Sequence, residues 1–143
     1  MLTKKIKMNK SMAGFSLLEC LIALGIMAIL TALSIPSYLR YTKRAYFMEV
    51  MQATAPYQFG VALCAQTNGG LGECNDGENG IPPAITHQHH IASLTVHHGI
   101  IKAIPEKEHG LSSQDSYVLT PELDSTGLHW QRSGGAVQHG FIR

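Results

Sequence analysis

The sequence is poor in charge, and its acidic and basic residues are unevenly placed. Charged residues make up 15% of the 143, and no acid precedes Glu19. Downstream of residue 66, four basic residues stand against eight acidic ones, a net charge of −4. Nucleic-acid binding relies on clustered Lys and Arg that displace counterions from phosphates. The composition therefore disfavours nucleic acid as a main partner.

Catalytic motifs are also missing. The sequence has no phosphate-binding glycine loop and no paired-carboxylate motif, and a Ser/His/Asp set can be assembled only by free choice among scattered residues. We therefore expect a protein that is not an enzyme, with no catalytic residues, no cofactor and no metal.

The first third of the chain lacks the small-x-small cleavage site that normally follows the apolar run of an export signal. Four lysines lie in residues 1–14, and the 21 residues from Phe15 to Ile35 include one side chain charged at neutral pH, Glu19. As a helix this run spans about 30 Å, enough to cross a bilayer core. The lysines favour a cytoplasmic N-terminus. A cut between Gly14 and Phe15 would retain Glu19, whereas a cut near residues 32–36 would discard it.

Glu19 needs a partner, because a carboxylate inside a membrane costs a few kcal/mol even on lenient scales. A free α-amine ordinarily has a pKa of about 8, so the new amine of Phe15 is mostly protonated at neutral pH. We expect Glu19 of one subunit to pair with Phe15 of its neighbour, which satisfies both groups and sets the axial register. In the simpler alternative, Glu19 only lies near the membrane surface and snorkels.

The chain resembles the type IV prepilin family, in the manner of type IVa major pilins. The resemblance rests on Gly14-Phe15-Ser16-Leu17-Leu18-Glu19, the apolar run after it, and Ile35-Pro36-Ser37-Tyr38. It implies that a membrane prepilin peptidase cuts after Gly14 and methylates Phe15. It also implies storage in the bacterial inner membrane, extraction by an assembly platform with its ATPases, and homopolymerisation into an extracellular pilus.

The sequence predicts an α+β fold in which a long bent N-terminal helix packs on a four-stranded antiparallel sheet. Helical spacing continues to about residue 66. A kink or local melting is expected at Pro36, and the alternative is that Pro36 only ends the membrane helix. Pro56 is a second possible bend. Short strands are predicted at about 91–97, 99–104, 116–120 and 127–132. Val96-His97-His98-Gly99-Ile100 is typical of a tight hairpin, and Asp124-Ser125-Thr126-Gly127 predicts a second turn. The expected regions are a leader (1–14), an assembly helix (15–35), an amphipathic half-helix (36–66), a glycine-rich loop (67–90), and the sheet with its tail (91–143).

Three cysteines are present. Cys20 is expected to be a small buried apolar residue. Cys64 and Cys74 form an even pair in what should be an oxidising compartment, which favours a disulfide over two free thiols. The best-known pilins close a C-terminal loop with a disulfide, but the tail from Arg132 to Arg143 has no cysteine for one. An adhesive role tied to that loop therefore does not carry over.

All eight histidines follow residue 86. One interpretation is a metal site built from His87, His89 and His90 with His97 and His98. The other is that the histidines simply face solvent. Neighbouring strand residues point to opposite faces, and no cysteine pair or regular carboxylate spacing accompanies them. Solvent-facing histidines are the expectation.

The leading functional hypothesis is a structural pilus subunit that serves adhesion, twitching motility or DNA uptake. A pseudopilin of a type II secretion system and a DNA-binding minor pilin of competence are the alternatives. A monomeric membrane-anchored binding domain is the remaining possibility.

Overall fold

A computed structural model describes residues 14–142 of the chain. Contacts divide it after Ser37 into an N-terminal unit and a C-terminal unit that begins at Tyr38. The leader lysines and the rest of the predicted leader before Gly14 lie outside the described residues.

The N-terminal unit is one stretch of helix. Helix α1 runs from Leu17 to Ala53, and its part up to Ser37 exposes almost all of its side chains. Cys20 is exposed on this stretch, so the expectation that it is buried is wrong for the single chain. The reason is that a helix does not bury its own side chains, and burial of Cys20 would have to come from lipid or from other helices.

The helix is interrupted at Thr54, just before Pro56. Helix α2 follows from Ala55 to Asn68. Pro56 has no N–H to donate to the helix. The N–H of Thr54 donates to the carbonyl of Met51 at 3.1 Å, which is three residues back and not the four of an α-helix. The interruption is limited to this residue, because Thr54 keeps helical dihedral angles (φ −78°, ψ −15°) and its carbonyl accepts from the N–H of Gln58 at 3.0 Å. The bend at Pro56 stays a prediction. At Pro36, by contrast, α1 stays helical, and the kink there remains a prediction.

Five strands form one antiparallel sheet in the order β1-β2-β3-β4-β5. They are β1 (Ile85–Gln88), β2 (Ile91–His97), β3 (Ile100–Pro105), β4 (Tyr117–Asp124) and β5 (Gly127–Ser133). The α+β class and the four predicted strands are confirmed, but the strand count of four is wrong. Strand β1 was missed because it lies at the end of the stretch assigned to the glycine-rich loop.

Turn chemistry fixes both predicted hairpins. His98 and Gly99 connect β2 to β3 with φ of 49° and 78°, as a two-residue hairpin of the primed kind requires. Between β4 and β5, an Asp124 carboxylate oxygen accepts hydrogen bonds from the N–H of Thr126 at 2.7 Å and of Gly127 at 3.1 Å. Local sequence therefore sets the register of these two pairs.

The core of the C-terminal unit lies between the helices and one face of the sheet. Phe47 and Val50 of α1 and Tyr57 and Val61 of α2 are fully or almost fully buried against it. Alternate strand residues supply the other side: Leu94, Val96, Ile101, Ala103, Tyr117 and Leu119. The amphipathic half of the helix is thus buried along one face, while Tyr41, Phe59 and Leu63 on its other face stay exposed.

The segment after α2 is tied down at several points. Cys64 and Cys74 form the predicted disulfide, with both side chains buried. The N–H of Gly99 donates to the carbonyl of Cys74 at 2.8 Å, and the Asp76 carboxylate accepts from the N–H of Val96 at 3.0 Å. The glycine-rich segment is therefore an ordered layer over the β2–β3 hairpin.

The C-terminal segment is closed on the β3–β4 loop without a disulfide. Helix α3 (Gly135–Gln138) approaches so closely that a Cβ on Gly135 would lie 1.7 Å from the carbonyl oxygen of Gln114. The N–H of Ala136 donates to the carbonyl of Ser116 at 3.1 Å. Only glycine at position 135 permits this contact.

A buried carboxylate joins this segment to α1. Asp115 is 1% exposed and accepts hydrogen bonds from the N–H and hydroxyl of Ser112 and from Nδ1 of His139. Lys43 on α1 places its Nζ 3.7 Å from the same carboxylate. Burial raises the pKa of Asp115, but the hydrogen bonds from His139 and Ser112 and the charge of Lys43 outweigh it, so the pKa lies below its ordinary value.

We predict that replacing Cys64 and Cys74 together by serine lowers the free energy of unfolding by about 2–3 kcal/mol, because a ten-residue loop is no longer closed in the unfolded state. Thermal unfolding of the full chain in detergent micelles measures the effect. The control is Cys20→Ser, which removes a thiol that no disulfide uses. An unchanged midpoint in the double variant, or on adding reductant to the native chain, would contradict the prediction.

We predict that Asp115→Asn destabilises the C-terminal unit by about 1–3 kcal/mol, because a buried hydrogen-bonded anion is lost. Because its pKa is lowered in the folded state, the ionised group stabilises the fold above its unfolded pKa, near 3.8. That contribution is lost as pH falls through the folded value.

Urea unfolding of the native chain and of Asp115→Asn, from pH 7 down to pH 2.5, checks this. The stability difference should be constant above about pH 4 and shrink below it. Glu122→Gln on β4, an exposed carboxylate, is the matched control. A difference independent of pH would count against the proposed role of the Asp115 charge.

Candidate functional site

The predicted cleavage site lies outside the helix. Gly14, Phe15 and Ser16 precede α1 and are exposed, Phe15 to 70%. The first helical hydrogen bond runs from the N–H of Cys20 to the carbonyl of Ser16 at 3.1 Å. The peptide bond between Gly14 and Phe15 is therefore in non-helical, accessible backbone, the form in which a peptidase can bind it.

Glu19 occupies the first turn of α1, where its negative charge interacts favourably with the helix dipole. Its side chain is exposed, and within residues 14–142 it forms no hydrogen bond or ion pair. The carboxylate oxygens of Glu19 are therefore available for contacts from outside the described residues. The structure brings Glu19 and Phe15 to the same end of α1, and their pairing between subunits stays a prediction.

The surface around Glu19 is hydrocarbon. The helical stretch contains an 18-residue window of mean hydropathy 2.3, and none of that window is buried. Thr31 and Ser34 donate their hydroxyls to the carbonyls of Met27 and Leu30, at 2.7 and 2.8 Å. Such side chains enter an apolar environment at little cost, because their hydrogen bonds stay within the helix. A bare apolar helix of this length requires lipid or other helices around it.

Amphipathic character returns beyond Pro36. Tyr38, Leu39 and Tyr41 remain exposed, while Phe47 and Val50, further along the same helix, are buried in the C-terminal unit. The exposed side chains of residues 38–48 include charged ones, Arg40 and Arg44, beside the apolar ones.

Sequence reasoning missed the carboxylate contacts of the histidines. His87 lies 2.6 Å from Glu106, His90 lies 2.7 Å from Glu108, and His139 contacts Asp115. The interacting residues are 18 to 24 positions apart, so no local spacing could have indicated them. His89, His97 and His98 are exposed, as expected.

Comparison with known proteins gives consistent relatives. The prokaryotic N-terminal methylation motif matches residues 9–35. Prepilin peptidase-dependent protein D of Escherichia coli K12 is 36% identical over 123 residues, 84% of this chain and 81% of that protein. Type IV pilus subunit protein TapA of Aeromonas hydrophila is 42% identical over 75 residues, 52% of this chain and 53% of that protein.

A solved structure is also similar. The solution NMR structure of the major type IV pilin PpdD from enterohemorrhagic Escherichia coli matches with a TM-score of 0.54 and 31% identity. The match covers 66% of this chain and 70% of that one. The likeness therefore extends beyond the methylation motif into the sheet-bearing part of the chain.

Proposed function

This chain belongs to the type IV pilin family, and on that premise we propose that it is a structural subunit of a type IV pilus. It polymerises through its N-terminal helix once prepilin peptidase has cut after Gly14 and methylated Phe15. In this role the chain catalyses nothing and holds no cofactor for catalysis.

The observation that carries the proposal is a single carboxylate on an otherwise uncharged, exposed apolar helix. Glu19 is the one side chain from Phe15 to Ile35 that is charged at neutral pH. Burying it unpaired would cost a few kcal/mol, whereas pairing it with the Phe15 amine of a neighbour offsets part of that cost and makes any arrangement that leaves the carboxylate unpaired unfavourable. The apolar surface supplies the packing energy, and the ion pair selects one register.

Before assembly, the subunit is held in the bacterial inner membrane by residues 15–35, with its N-terminus in the cytoplasm. The C-terminal unit is then outside the cytoplasm, where the Cys64–Cys74 disulfide can persist. The assembly platform and its ATPases would extract the subunit into an extracellular filament.

The filament serves adhesion, twitching motility or DNA uptake. Nucleic-acid binding by this subunit itself is disfavoured by the net charge of −4 downstream of residue 66. A pseudopilin of a type II secretion system would share the same N-terminal chemistry. Two curated relatives, TapA and the type IV major fimbrial protein FimA of Dichelobacter nodosus, are named as pilus or fimbrial proteins, which favours the pilus role.

We predict that Glu19→Ala leaves leader cleavage intact but abolishes filaments, because the neutral helix still inserts while the register-setting ion pair is lost. Immunoblotting for the size shift of the processed chain measures cleavage, and electron microscopy of cells measures piliation. Thr31→Ala is the control, since the Thr31 hydroxyl bonds only its own helix. Normal piliation in Glu19→Ala would overturn the assembly role of Glu19.

A further inference from the structure

Three side chains with metal-binding atoms meet in the C-terminal unit, drawn from two separate loops. His90 lies in the β1–β2 turn, and Glu108 and His109 lie in the β3–β4 loop. We propose that this group, here called the His90 cluster, binds a divalent transition-metal ion of the zinc class. The inference is independent of polymerisation and goes beyond the pilus role.

The distances suit an open site that closes on an ion. Ligand atoms of His90, Glu108 and His109 all lie within 4.8 Å of one another. Oε1 of Glu108 lies 2.7 Å from Nδ1 of His90, and Oε2 of Glu108 lies 3.8 Å from Nε2 of His109. Oε2 of Glu49 lies 3.7 Å from Nε2 of His90. Ligands on zinc at bond lengths of about 2.0–2.1 Å are separated by roughly 3.3 Å. Closure therefore requires shifts of about an ångström in side chains that are partly exposed.

Both imidazoles are held in place by Tyr46 of α1. Its ring stacks on His109 with centroids 3.7 Å apart and planes 3° apart, and it meets His90 edge-on at 5.2 Å. The backbone of both loops is fixed as well. The N–H of Glu106 donates to the carbonyl of His90, and that of Leu111 donates to the carbonyl of Glu108, each at 2.9 Å. Rings oriented before binding lower the entropy cost of ligation.

The donor atoms of the His90 cluster and its negative charge favour the binding of a divalent cation. Two imidazoles with carboxylate oxygens suit zinc, copper and nickel, whereas calcium and magnesium prefer oxygen ligands alone. Glu108 approaches Nδ1 of His90, and Glu49 approaches Nε2 on the other side of the same ring. An ion on the Nδ1 side would be held by His90, Glu108 and His109, and Glu49 would lie next to the opposite ring nitrogen, where a carboxylate orients a ligating imidazole. Such an ion would neutralise Glu108 and join the β1–β2 turn to the β3–β4 loop.

The test uses the full chain in detergent micelles, titrated with Zn²⁺ alone by calorimetry. We expect one ion per chain and an increase in the thermal midpoint on binding. The variants His90→Gln and His109→Gln should each weaken binding by about tenfold or more and abolish that increase. His97→Gln, an exposed histidine on β2 outside the His90 cluster, should bind as the native chain does.

An unchanged affinity in the double variant His90→Gln/His109→Gln would overturn the site, as would a loss of binding in His97→Gln or no binding at millimolar Zn²⁺. A probe that needs no variant covers the case of poor folding. Stoichiometric Cu²⁺ on the native chain should show an electron paramagnetic resonance signal split by two imidazole nitrogens. A signal without nitrogen splitting would equally overturn the site. Neither readout depends on filaments, so failure here is distinct from failure of the pilus role.

Discussion

One constraint underlies the proposed assembly: Glu19 carries a carboxylate on a helix whose surrounding surface is hydrocarbon. The helix cannot remain bare in water, and the carboxylate cannot remain unpaired in lipid or inside a bundle. A cut before Phe15 creates the one cation that the same segment can offer. The apolar surface is non-directional and would allow many registers. Pairing one charge with one amine makes a single register preferable, which is what a regular filament requires.

The C-terminal unit meets a different requirement, which is to stay folded with a small core. Its connections are closed by three kinds of contact. The disulfide between Cys64 and Cys74 ties the glycine-rich segment to α2, and backbone bonds to Cys74 and Asp76 fix that segment on the β2–β3 hairpin. At the other end, the buried carboxylate of Asp115 links the tail to the β3–β4 loop and to α1. The proposed metal in the His90 cluster would add a further tie, between the β1–β2 turn and the β3–β4 loop.

Much of this fold follows from local signals in the sequence. Helical spacing predicted the amphipathic helix, the Gly99 and Gly127 turns predicted two hairpins, and the cysteine count predicted the disulfide. Strand β1 was missed because its alternation spans only four residues next to a glycine-rich segment. The contacts of Asp115 with Lys43 and His139, and of His90 with Glu108, join residues far apart in the chain, and only the folded sheet brings them together. The kink at Pro36 and the role of Glu19 depend on neighbouring subunits or lipid, so the single chain does not test them.

The most direct measurement of the central claim is mass spectrometry of the N-terminal peptide in filaments sheared from cells. The account predicts a peptide that begins at methylated Phe15, recovered from the extracellular filament. Methylated Phe15 confined to the membrane fraction would contradict the pilus role and favour a pseudopilin. An intact Met1 in every fraction would contradict cleavage at Gly14, and with it the amine that is proposed to pair with Glu19.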